Sequence, residues 1–136
     1  MRKNKGFTLI ELLVAIFILV IGIVAVLQAF PFGVNVQKQA QMATVALQLN
    51  QEKMEEIISY QYNEILVGTI EESYGFDPDF PSFKRITEVE YFNPDSPEVP
   101  PAEDSGIKKI EVTIFWHTPL GTTEKEIKLA TLIAKR

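Results

Sequence analysis

Sixteen consecutive residues, Leu12 to Leu27, contain no polar or charged side chain. A stretch of that kind near one end of a chain of 136 residues cannot be buried by the remainder, which has only one domain's worth of sequence. The run widens to Phe7–Leu27 if Thr8, Glu11 and Gly22 are admitted. As a helix those 21 residues span about 31 Å, against a hydrocarbon core of roughly 30 Å. The first six residues, Met1 to Gly6, hold Arg2, Lys3 and Lys5 and no acid. Positive charge ahead of an apolar helix keeps that end in the cytoplasm, so the rest of the chain is expected outside. A soluble enzyme is a poor fit to this layout.

Composition closes off several other classes. There is no cysteine, which excludes a disulfide framework, thiolate metal sites and a cysteine nucleophile. The single histidine, His117, has no second histidine to form a metal site, and a lone histidine at a strand end reads as structural or surface-exposed. The formal charge is −5 and no basic cluster lies beyond the N-terminus, so nucleic acid is not an expected partner. Ser59, Ser73, Ser82, Ser96 and Ser105 sit in no nucleophile elbow, and no phosphate-binding glycine loop is present. Glu52, Glu55 and Glu56 form a solvated helical face. No metal and no cofactor is expected.

Glu11 is the informative residue. A secretory signal peptide accounts for the leading charges but has a shorter apolar core and an A-x-A-like cleavage site, absent around Ala25–Ala29. A plain signal anchor leaves the glutamate unexplained, because an acid inside a membrane helix costs roughly 2.5–3.5 kcal/mol when central and less near an interface. Such a carboxylate needs a cationic partner, and the sequence offers no Lys or Arg between Lys5 and Lys38.

The segment Lys5-Gly6-Phe7-Thr8-Leu9-Ile10-Glu11 resembles the processing site of bacterial type IV pilins and type II secretion pseudopilins. The resemblance implies that a prepilin peptidase cuts between Gly6 and Phe7 and methylates the new amine of Phe7. It also implies that Glu11 is the family's glutamate, used in assembly. Removing residues 1–6 takes away three of the 13 basic residues, leaving 10 against 18 acids. It also exposes a cationic amine on Phe7, on this chain or a neighbour, as the partner Glu11 lacks. The implied partners are other pilins or pseudopilins, the peptidase and inner-membrane lipid. Localisation follows as single-pass in the bacterial inner membrane, with the C-terminal part extracytoplasmic, and in a pilus or pseudopilus after assembly.

Beyond the membrane run, Pro31 and Gly33 predict a kink or a short melted stretch. From Asn35 to Ile65 the spacing turns helical again, with Val36, Ala40, Ala43, Leu47, Met54 and Ile57 as an apolar stripe. Asn50 falls on that stripe as an exception. Residues 68–83 read as a connecting loop with at most one short strand, and Glu71, Glu72, Asp77 and Asp79 as solvated charge. Three strands follow, at Lys84–Phe92, Ile107–His117 and Glu124–Ala134, each alternating apolar and polar. Trp116 belongs to the apolar face. Thr118–Thr123 is a hairpin loop. Residues 93–106, with Pro94, Pro97, Pro100 and Pro101, form an exposed loop.

The expected architecture is α+β and pilin-like. Residues 1–6 are a leader, 7–28 a transmembrane and assembly helix, 29–65 its amphipathic second half, and 66–136 an antiparallel sheet domain covered on one face. The hairpin from Val112–Trp116 to Leu129–Ala134 is similar to the ends of minor pilins and minor pseudopilins. The missing cysteines rule out the C-terminal disulfide loop of many major pilins. Function is then expected as a minor structural subunit; a single-pass anchored binding module is the alternative, and processing after Gly6 separates the two.

Overall fold

The computed structural model describes residues 6–118 and 123–135. Residues 1–5, within the expected leader, and the tip of the expected hairpin loop, residues 119–122 with Gly121, lie outside the described residues. The elements are a helix α1 (Leu9–Ser59), a short 3₁₀ turn (Tyr62–Glu64) and four strands: β1 (Gly68–Glu72), β2 (Phe83–Tyr91), β3 (Ile107–His117) and β4 (Glu124–Ala134). Two compact units divide the chain, one up to Lys38 and one from Gln39 onward.

The strands form one antiparallel sheet in the order β1-β2-β3-β4, so each pairs with its neighbour in sequence. The registers put like faces together. Phe83 lies opposite Trp116, Val89 opposite Ile110, and Ile114 opposite Ile127. These residues, with Val112 and Leu129, make the apolar face on which the C-terminal part of α1 packs. One cluster gathers Met54 and Ile57 with Ile65, Val89, Ile110 and Val112. Another gathers Ala46 and Leu49 with Phe83, Ile114 and Trp116. The fold is α+β, one long helix on a four-stranded antiparallel sheet.

Several details differ from the sequence expectation. The helix runs unbroken through Pro31, so no melted stretch forms there. Proline deletes one N–H from the ladder, and the rungs on either side persist. The buried stripe of α1 is Ala46, Leu49, Asn50, Met54 and Ile57, while Val36, Ala40 and Leu47 are exposed. Asn50 is therefore central to the stripe, and treating it as an exception turned the expected face away from Ala46 and Leu49.

The helix ends at Ser59 rather than Ile65 although no glycine or proline stops it. Side chains end it instead. The Ser59 hydroxyl donates to the Glu56 carbonyl at 2.6 Å. The Glu64 carboxylate accepts the Gln61 N–H at 2.9 Å, which opens the next turn. The one short strand allowed for among residues 68–83 is present as edge strand β1, Gly68–Glu72, against β2. Glu71 and Glu72 are thus strand residues, and Glu72 is bound to Arg85 rather than merely solvated.

Candidate functional site

In the first unit, Gly6, Phe7 and Thr8 precede the helix, which begins at Leu9. Thr8 caps it. Its hydroxyl accepts the Glu11 backbone N–H at 3.3 Å, and its carbonyl accepts the Leu12 N–H at 3.2 Å. Thr8-x-x-Glu11 is the spacing of a capping box, and it sets Glu11 in the first turn, where the helix dipole favours negative charge. The glutamate thus has a local reason to stand in the first turn of an otherwise apolar helix.

Every large apolar side chain from Phe7 to Val36 is exposed. An 18-residue window of α1 reaches a mean hydropathy of 3.2 with none of it buried. The helix is long and apolar enough to cross a membrane, and its apolar surface is exposed. Among the described residues no ion pair involves Glu11.

Comparison with known families bears directly on this segment. Residues 1–27 match the prokaryotic N-terminal methylation motif. The chain carries the type IV pilin and pseudopilin signature. That signature implies processing by a prepilin peptidase and assembly with other pilins. It ends at residue 27, so the pilin-type assignment rests on the leader and the apolar helix and not on the sheet. No curated protein and no solved structure matches the chain.

The second unit holds several polar arrangements that sequence spacing does not reveal. Asn50, fully buried, donates through Nδ2 to the carbonyls of Val112 at 3.0 Å and Ile127 at 3.1 Å. Lys108 is buried on the helix-facing side of β3. Its Nζ donates to the carbonyls of Tyr62 (2.8 Å) and Ile65 (2.6 Å) and lies 4.1 Å from the Tyr62 ring centre. That ammonium fastens the turn after α1 to the sheet.

Arg85 makes a forked pair with Glu72 at 2.5 and 2.8 Å and lies over the Phe76 ring. The guanidinium holds the Glu72 carboxyl below its usual range. On the opposite sheet face Glu111 takes Lys128 at 2.8 Å and Lys109 at 3.5 Å, and its carboxyl is likewise lowered, chiefly by Lys128.

The Tyr62 hydroxyl donates to Asp104, whose other hydrogen bond comes from the Gly106 N–H. Gly106, at φ 78°, turns the chain out of the proline-rich loop. Burial pushes the Tyr62 hydroxyl up to about 12, with Asp104 adding to it. His117 is exposed, its ring 5.0 Å from that of Tyr74. Among the described residues no group of three His, Asp or Glu side chains is placed to hold a metal ion. Gly6, Phe7 and Glu11 lie close together along one linear segment at the start of α1.

Proposed function

We propose that this chain is a structural subunit, a minor pilin or minor pseudopilin, and not an enzyme. Prepilin peptidase removes residues 1–6 by cutting between Gly6 and Phe7, then methylates the amine of Phe7. The mature helix stays in the bacterial inner membrane until the subunit enters a type IV pilus or a type II secretion pseudopilus. Its sheet domain is extracytoplasmic. Glu11 acts in assembly: its carboxylate pairs with the cationic amine of Phe7, its own or that of a neighbouring subunit. In a low dielectric an unpaired Glu11 is costly, so the pair favours one stagger between subunits.

The observation that carries this reading is the methylation motif at residues 1–27, continuous with a helix whose apolar surface the chain leaves uncovered. Thr8 supports it by capping the helix two residues beyond the proposed scissile bond. Intact-mass measurement of membrane-extracted protein tests it. The expected species lacks residues 1–6 and carries one methyl group on Phe7. An intact N-terminus in cells that contain a prepilin peptidase would remove the basis for the assignment.

A further inference from the structure

We propose that the two outer strands of the sheet are complementary, and that β1 of one copy adds to β4 of the next as a fifth strand. β4 is 11 residues long and pairs with β3 through one edge; β1 pairs with β2 through one edge. No strand covers the other edge of either among the described residues. Soluble domains usually blunt such edges with charge. The first half of β4 does so with Glu124, Lys125, Glu126 and Lys128. Its second half, Leu129-Ala130-Thr131-Leu132-Ile133-Ala134, carries none.

Exposed apolar side chains collect at these two edges. Leu132 is 52% exposed on β4, while Leu66, Val67 and Ile70 at β1 are 81%, 45% and 60% exposed. Ile58 and Tyr60, also exposed, line a cleft beside Leu132 and Ile133.

One antiparallel register satisfies both edges. With Thr69 opposite Ala130, Ile70 falls opposite Leu129 on the helix-facing side and Glu71 opposite Lys128 on the other. Leu66 and Val67 then run past Ile133 and Leu132. Faces match because the side-chain period is two, and a shift of one residue would set charges against apolar groups. Main-chain hydrogen bonds supply attachment and the alternate side chains supply register, as in other strand additions.

Topology selects a second copy related by simple repetition. Four alternating strands make β1 and β4 antiparallel, so a copy with the same orientation presents β1 in the sense β4 needs. Antiparallel pairing of β4 with β4 would reverse one copy end for end. Copies anchored in one membrane share a direction, and on that point alone the inference rests on the proposed function. Such a head-to-tail contact leaves a free β1 edge on one end copy and a free β4 edge on the other, so further copies can add in the same way.

Cysteine crosslinking in the full-length, membrane-embedded chain tests the contact, since no native cysteine competes. Opposed strand residues lie within disulfide reach at about 4.5–5.5 Å between Cα atoms. Within one chain the same two positions are separated by three strand spacings, about 14 Å, and cannot bridge. Oxidation of the double variant Thr69→Cys, Ala130→Cys should therefore give a ladder of dimers and higher species. Each single variant should stay monomeric.

An off-register double, Thr69→Cys with Ala134→Cys, should lose most of the ladder. A monomeric Thr69/Ala130 double overturns the contact. Dimers from Ala130→Cys alone overturn it in favour of β4 self-pairing, and an equal ladder off register overturns the alignment. Intact mass on the same samples reports N-terminal processing. A processed but uncrosslinked chain sinks only the edge contact, and a crosslinked but unprocessed one sinks only the proposed function.

Discussion

Asn50 offers both hydrogens of its amide to strand carbonyls, 62 and 77 residues further along the chain. It stands on α1 between the residues of one apolar cluster, Ala46 and Leu49, and those of the other, Met54 and Ile57. Removing a buried donor costs roughly 1–3 kcal/mol. Asn50→Ala is expected to destabilise the sheet domain by about that much, read as a lower urea midpoint. Asn50→Leu keeps most of the volume but gives up both bonds, so it should fall short of wild type as well. A leucine variant as stable as the native chain would show that filling the space is all Asn50 does. The same residue marks a limit of sequence reading. Hydrophobic spacing ranks asparagine as a flaw in a stripe, because the carbonyls that justify it come from distant strands. The methylation motif at residues 1–27 is legible for the opposite reason, being a linear segment that needs no fold to assemble it.

Among the strands, β1 is joined to β2 by its backbone ladder and, through side chains, chiefly by charge. Its five residues contribute no buried side chain, and the forked Glu72–Arg85 pair ties it to β2. The Glu72 carboxyl sits below its ordinary value of 4.5, so the pair's stabilisation is complete above that value and is lost as pH falls through the lowered one. Backbone amides of Thr69 to Glu72 are expected to lose exchange protection progressively as pH falls below 4.5. Those of Ile110 to Ile114, in an apolar setting, should hold over that range. Protection that declines together in both strands would mean that the pair does not fasten the edge. Tyr62 and Tyr74, both pushed up to about 12 chiefly by burial, act at the other extreme. Their contribution is whole below pH 10 and fades as pH rises towards 12. The weak apolar content of Gly68–Glu72 is also why a strand there is hard to read from sequence. Strands β3 and β4 alternate over 11 residues each and are read at their observed ends.

At the scale of the whole molecule, the unit from Gln39 onward has its own core, with the C-terminal part of α1 covering the sheet. A chain starting near Gln28, without the membrane run, is expected to unfold as one cooperative step, with near- and far-ultraviolet circular dichroism changing together. Separate transitions would mean that helix and sheet do not stabilise each other. The order of the strands has a bearing on time as well as on stability. Each strand pairs with the one made just before it, so contacts are short in sequence and the sheet can grow in the order of synthesis. β4 is the last of these four strands to emerge. Until it arrives, β3, the strand with the most buried side chains, has an uncovered edge. The sheet is therefore complete only at its fourth strand, and a nascent chain stalled before Glu124 would be the species most open to proteolysis or to pairing with the wrong neighbour.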